Sequence, residues 1–256
     1  MPKLSVAILV YNEEHRLANC LENLGFADEL VVLLDRCTDR SKEIALQYTT
    51  NIIEGSWPIE GSRRMQAIEA CSGDWILEVD VDERIPDALI HEIYERIKTA
   101  EFGYFTIPFD NYVNGKLIKR GWGCSWGINA KNCLFAKGAK VWGNQRVHPK
   151  IELLGKHYTL EHAVIHYIFN NVSDMIARFN SYTSLHAEDM LDNPPENETM
   201  KRNVRRILSR FYKCYFRRKG YKEGVFGFLN AVFAGLYPLI SFLKYEEIRK
   251  KCDLSE

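Results

Sequence analysis

Three apolar runs in this sequence each end in a knot of carboxylates and other polar groups. Tyr11-Asn12-Glu13-Glu14 closes the run that starts at Leu4, Asp35-Arg36-Cys37-Thr38-Asp39 follows ELVVLL, and Asp80-Val81-Asp82-Glu83 closes the run that starts at Trp75. A single acidic cluster at such a place has an ordinary explanation, because Asp and Glu favour the first turn of a helix. Three of them, one with two aspartates two residues apart, favour a site. If the third run is a strand, its side chains alternate faces, and Glu78, Asp80 and Asp82 share one of them. Like charges so placed repel, so this face calls for something that neutralises it.

The elements that would position these residues are legible from periodicity. LSVAILVY (4–11) is a continuous apolar run, as in a strand buried on both faces, and ELVVLL (29–34), NII (51–53), WILEVDV (75–81) and FGYFTIP (102–108) read as further strands. Leu17, Leu21 and Leu24 recur at helical spacing behind Asn12, a residue suited to cap that helix; Asp39 or Ser41 would cap a second. A third helix is expected around Ser62–Ala70, and Pro86 opens a fourth. Strands separated by helices of this length imply βαβ units and a mostly parallel sheet, which binds its ligand at the carboxyl ends of its strands. All three clusters fall there. The chain has neither G-x-G-x-x-G nor G-x-x-x-x-G-K, so it is not a dinucleotide-binding or P-loop type.

Composition sets the outer bounds. The 256 residues are 46% hydrophobic and 27% charged, as in ordinary globular proteins. Net charge is zero but unevenly spread: residues 1–200 are net −9, residues 201–222 carry ten Lys/Arg and no Asp/Glu, and residues 223–256 are net −1. Seven cysteines without a C-x-x-C pair fit a reducing compartment better than a disulfide framework. The N-terminal apolar run is short and followed at once by Asn12-Glu13-Glu14, so it reads as a strand and not a signal peptide.

With VYNEE (10–14), VVLLDRCTDRS (31–41) and ACSGDWILEVDVDER (70–84) in this order, the chain resembles the family 2 glycosyltransferases, which have the GT-A nucleotide-sugar-binding fold. It looks most similar to the bacterial lipopolysaccharide-core β-1,4-glucosyltransferase branch, through YFTIP, Gly121-Trp122, Leu134-Phe135, Val147-His148, His166-Tyr167 and a basic-then-apolar C-terminus. The resemblance implies an α/β fold with a mostly parallel central sheet flanked by helices. The catalytic domain would be residues 1–170, with a nucleotide-binding half (1–108) and an acceptor half (109–170), followed by a helical C-terminal appendage (171–256) that associates with a membrane. It implies a metal-dependent, inverting transfer of a sugar, from a UDP-hexose type of donor, to a membrane-linked glycan or glycolipid acceptor. Tyr11 and Glu13 would lie near base and ribose, with Asp35 on the base edge. Asp80, Val81 and Asp82 would hold the ribose and the diphosphate-bound cation. The physics agrees: a diphosphate and carboxylates repel unless Mn2+ or Mg2+ bridges them, and that cation can stabilise charge on the leaving diphosphate. Arg64, or its neighbour Arg63, could add a phosphate contact, or be a solvated helix arginine.

An inverting transfer also needs a base for the acceptor hydroxyl. In the resembling branch a Glu follows the Val-His; here Pro149 stands in that place and cannot serve. Glu152 or His148 could take the role, with Asp110 a further option, or these residues could be structural. A protein lacking a working base would be a membrane-surface nucleotide-sugar binder without turnover, the alternative reading. His166 could be a third metal ligand or a structural histidine. Trp122, Trp126 and Trp142 could face sugar or simply pack.

Helical patterns cover 172–192 and 199–219, and residues 224–243 contain no charge. That length would permit a spanning helix. Yet Gly224, Gly227, Asn230, Ala231, Ala234, Gly235, Pro238 and Ser241 recur at spacings of three and four, opposite Phe226, Leu229, Phe233, Leu236 and Ile240. A helix lying in the interface or docked on the catalytic domain suits that better. Residues 201–243 would meet an anionic membrane surface, placing the protein in the cytoplasm, peripheral on the inner membrane. Nucleic acid is not expected, because the remaining surface is acidic and no nucleic-acid-binding motif appears.

Overall fold

The computed structural model describes residues 1–122, 127–144, 150–195 and 198–253. The chain forms two compact units, residues 1–109 with 130–166 and residues 110–129 with 167–256. Residues 110–129, read from the sequence as part of an acceptor half, lie in the second.

The first unit is built on a parallel core. Strand β1 (Leu4–Val10) is buried at every position, which explains its unbroken apolar run. It pairs in parallel with β2 (Glu29–Asp35) on one side and β4 (Trp75–Asp80) on the other, and β3 (Ile52–Gly55) extends the set beyond β2. Helices α1 (Glu14–Asn23), α2 (Ser41–Ala45) and α3 (Glu60–Ala70) make the crossovers. Then follow β5 (Glu83–Arg84), α4 (Asp87–Ile97), β6 (Gly103–Val113), β7 (Lys116–Ile118), β8 (Ala130–Ala136), β9 (Lys140–Trp142), β10 (Ile151–Leu153), β11 (Lys156–Thr159) and β12 (Val164–Phe169). The sheet runs β3-β2-β1-β4-β8-β6-β12-β5, with β11 and β7 also on β6, while β9 and β10 form a separate hairpin. β8 lies antiparallel between β4 and β6, ending the parallel half. Periodicity does not announce β7 to β11, because most of them are three or four residues long and partly exposed.

The second unit contains β7 together with α5 (Val172–Asp192), α6 (Met200–Tyr212) and α7 (Gly224–Asp253). Its core gathers Val113, Ile118, Trp122, Phe169, Met175, Phe179, Ala231, Ala234 and Tyr237. The charge-free stretch is the first two-thirds of α7, and both of its faces pack. Ala231, Ala234 and Ser241 are fully buried, while Phe226, Leu229, Phe233, Leu236 and Ile240 lie half-buried against the same cluster. Helix α6 passes so close that a Cβ on Gly235 would stand 2.9 Å from the Ile207 carbonyl oxygen. The helix expected over 199–219 is regular only to Tyr212 and continues as a π-turn over Lys213–Arg217. Widening the backbone there accompanies the packing of Phe211, Tyr215 and Phe216 on one another, with centroids 5.1–6.4 Å apart.

Candidate active site

The three strand-end clusters come from β1, β2 and β4, which are neighbours in one parallel set, so their carboxyl ends lie along one edge. At the first, Asn12 adopts a left-handed backbone (φ 52°) and does not cap α1. Its side-chain oxygen instead accepts the Thr38 amide at 2.8 Å. The N-terminal donors of α1 are satisfied from the second cluster: Glu14 N donates to Asp39 Oδ2 at 2.9 Å and Glu13 N to Ser41 Oγ at 3.2 Å. Asp39 also accepts the Ser41 amide at the start of α2. The first two turns are therefore stitched together. Tyr11 is exposed on this edge, with the Arg36 guanidinium 5.5 Å from its ring centroid, and Glu13 pairs with Arg16 at 3.4 Å.

Asp35 is fully buried at the end of β2. Arg36 grips both of its oxygens (3.0 and 3.1 Å), Arg63 donates at 2.9 Å and the Trp57 amide at 3.2 Å. Burial alone would raise its pKa, but these donors outweigh burial and hold the carboxyl below its usual range. Arg36 reaches this position from a left-handed backbone (φ 51°), an uncommon conformation for a side chain of this size.

The third cluster resolves the crowding that the sequence posed. β4 ends at Asp80, so strict alternation stops there and the following turn separates Asp80 from Asp82. Asp80 is held by two cations: Lys131 Nζ of β8 at 2.7 Å and Arg64 Nη2 of α3 at 3.3 Å. Burial pushes the Asp80 carboxyl up, but Lys131 and Arg64 overcome it and leave it well below the ordinary range. Glu83, the last member of the third cluster, is the buried first residue of β5. It pairs with Lys131 and accepts the Asp80 amide at 3.1 Å. Burial pushes its carboxyl up to about 7, against the pull of Lys131.

Asp82 faces elsewhere, with Oδ1 3.6 Å from His166 Nε2. His166 is buried on β12, opposite Glu83 in register, and meets the Phe109 ring edge-on at 5.7 Å. Asp82, Glu83 and His166 each offer a ligand atom within 4.8 Å of the others. Two carboxylates and an imidazole fit a divalent cation in chemistry as well as spacing. Val81 is buried in the same turn and its carbonyl accepts Arg84 Nη1 at 2.8 Å.

Behind the edge, Glu78 is a structural carboxylate. It is buried, paired with Lys140, and accepts Trp142 Nε1 at 2.9 Å. Arg64 lies under the same tryptophan ring, 4.8 Å from its centroid, and bonds Glu60 at 2.9 Å, so it is not a solvated helix arginine. Glu152 is exposed on β10, paired in register with Val141 of β9; among the described residues no hydrogen bond or ion pair joins it to the Asp82 cluster. His148 and Pro149 lie outside the described residues. Sequence reasoning missed Lys131, and gave Arg36 and Glu83 no role of their own although both stand in the clusters. For Lys131 the available signal was one lysine in a strand otherwise apolar toward its end.

A parallel β-α unit with acidic strand ends and an antiparallel strand beside β4 defines a GT-A-type transferase fold. The chain belongs to glycosyl transferase family 2, whose model matches residues 5–143, more than half of its length. It is similar to an uncharacterized glycosyltransferase of Rickettsia bellii, 23% identical across 98% of this chain and 88% of that protein. It is also similar to the lipopolysaccharide core biosynthesis glycosyltransferase LpsC of Rhizobium meliloti, 24% identical across 95% of this chain and 93% of LpsC. In fold it is similar to residues 1–349 of S. aureus TarS, solved in complex with UDP, with a TM-score of 0.50, 15% identity, and coverage of 99% of this chain and 92% of that one.

Proposed function

We propose that the protein transfers a sugar from a UDP-sugar, with Mn2+ or Mg2+ bound at the edge formed by β1, β2 and β4, to a membrane-linked glycan of the lipopolysaccharide-core kind. The observation that carries this is the division of labour at the end of β4. Asp80 is already neutralised by Lys131 and Arg64, whereas Asp82 and His166 form a carboxylate–imidazole pair next to Glu83. In this reading Asp82 and His166 hold the cation, and the imidazole nitrogen makes Mn2+ the better fit of the two. When bound, the cation supplies Lewis-acid stabilisation of charge on the departing diphosphate. The chain's own residues do the rest. Arg36, anchored on Asp35, lies against the exposed Tyr11 ring that the neighbouring turn presents to the base, and Glu13 shares that turn. Asp80, Val81 and Asp82 frame the ribose side. Arg64 and Lys131 keep the edge from being repulsive to a polyanion. Glu152 and His148, with Asp110 a further option, are the candidates for removing the acceptor proton. TarS was solved with UDP, and LpsC is named for lipopolysaccharide core biosynthesis; both support the donor and acceptor classes.

The test combines binding with turnover. UDP-sugars with Mn2+ should raise the thermal midpoint of the wild type, as any ligand of the native state does, and a chelator should remove most of that rise. Asp82→Ala should lower transfer by about 10²-fold or more, the scale of losing an electrostatic contact to developing charge. Unchanged transfer by Asp82→Ala, or a midpoint rise indifferent to chelator, would overturn the cation assignment.

A further inference from the structure

The uncharged stretch of α7 is the conspicuous candidate for membrane contact, since it alone among the described helices is long and apolar enough to cross a bilayer. Most of that surface is already covered within the protein: Ala231, Ala234, Tyr237 and Ser241 are buried, and the intervening aromatic face packs on the same core. The exposed apolar surface of this unit lies on α6 and the start of α7. Val204, Leu208 and Tyr212 follow each other at i, i+4 and i+8 on one stripe of α6, and Phe216 extends it into the π-turn. Leu208 is 75% exposed and Val225, on the first turn of α7, is 72% exposed. Phe228 joins the two segments through ring contacts with Phe211 (5.8 Å) and Tyr215 (5.9 Å).

Beside this ridge runs a second stripe, one residue further round the helix: Lys201, Arg205, Ser209, Lys213 and Arg217. Its four cations are exposed, and residues 201–222 contain no acidic residue. A soluble surface has no reason to align large apolar side chains on one exposed stripe and cations along its flank. A bilayer does: the hydrocarbon boundary takes the ridge, and anionic headgroups take the lysines and arginines. The hydroxyl-bearing rings of Tyr212 and Tyr221 suit headgroup depth, where amphipathic rings collect.

We infer that the protein docks on an anionic lipid bilayer through the ridge of Val204, Leu208, Tyr212, Phe216 and Val225 and its flanking cations, lying on the membrane without crossing it. α7 acts as the rigid internal beam that presents the ridge. This rests on the proposed membrane-linked acceptor, and it assigns the surface that would bring the enzyme to it.

The experiment is sedimentation of the full chain with phosphatidylcholine vesicles, with and without phosphatidylglycerol. Wild type should bind only the anionic vesicles and release at high salt. Leu208→Glu/Tyr212→Glu and Arg205→Glu/Lys213→Glu should each weaken binding by about ten-fold or more, with unchanged thermal midpoint and unchanged transfer to a water-soluble acceptor. The inference is overturned if wild type ignores anionic vesicles, or if the ridge variants bind like wild type. It is also overturned if the protein needs detergent for extraction, as a spanning helix would. Self-association without lipid that Leu208→Glu abolishes would assign the ridge to a second copy of the chain and overturn it too. Vesicle binding needs neither donor nor acceptor, so it can fail while transfer persists, and transfer can fail while vesicle binding persists.

Discussion

Lys131 is the residue on which the acidic edge depends. It reaches Asp80 and Glu83 from a strand 51 and 48 residues further along the chain and lies 4.9 Å from the centroid of the Phe109 ring. Its ammonium is mostly screened from water, and removing one partner of a buried charge cluster strands the other charges. Lys131→Met should therefore destabilise the fold by ~3–5 kcal/mol in denaturant titration. Adding Glu83→Gln to that variant should recover part of the loss, because one stranded carboxylate becomes neutral. Strictly additive losses for the pair would contradict the coupling. At this scale the spacing of Asp80 and Asp82 and the run ending at Asp35 are enough to mark the edge in the sequence. What spacing does not carry is the pairing. Alternation puts Asp80 and Asp82 on one face, but the strand ends at Asp80, and the two aspartates meet different partners contributed by β8, α3 and β12. Those partners are brought in by tertiary structure and leave no local pattern.

Elements with strong periodicity or long apolar runs are legible: β1, β2, β4, α1 and α5 lie where the pattern puts them, within a few residues, while α7 starts with the uncharged run but continues well past its end at residue 243, to Asp253. The run that forms α7 admits three readings, because an uncharged helix looks alike whether it faces lipid or protein. Its small residues decide the outcome. Gly235 lets α6 approach until a Cβ would stand 2.9 Å from the Ile207 carbonyl oxygen. Gly235→Leu should accordingly lower stability by ~1–3 kcal/mol, the scale of overpacking a close contact. Val225→Leu, on the exposed first turn of the same helix, should leave it within ~0.5 kcal/mol. A thermal melt of the two variants side by side checks this, and equal midpoints would contradict the packing of α6 on α7. The short strands β7, β9, β10 and β11 are illegible for the opposite reason. Three or four partly exposed residues contain too little pattern to register.

Over the whole molecule, paired carboxylates set the response to acid. Asp35, Asp39 and Asp80 are all held below their ordinary values, and Glu29 is lowered to about 2. For Glu29, burial opposes ionisation, but Ser5, both donors of Ser72 and the Lys3 charge prevail. A carboxyl with a lower pKa in the folded than in the unfolded state stabilises the fold above its unfolded value. That stability is lost as pH falls through the folded one. The contribution of Glu29 is thus complete above about pH 4.5 and fades toward pH 2. Glu29→Gln should cost roughly 2 kcal/mol at neutral pH, and the gap to wild type should close as pH approaches 2. A gap that widened in acid would reverse the sign. Net charge alone, zero over the chain, reveals none of this; the division into an acidic body and a basic strip is readable, but not which carboxylates have found donors.

The crossed bonds between the first two turns have a consequence for motion. Glu14 and Glu13 amides end on Asp39 and Ser41, and the Thr38 amide ends on Asn12. Neither loop can open without breaking the other's closure, so the pair should behave as one exchange unit. Amide hydrogens at Glu13, Glu14 and Thr38 should then trade with solvent at matched rates and slow together when a donor settles on either turn.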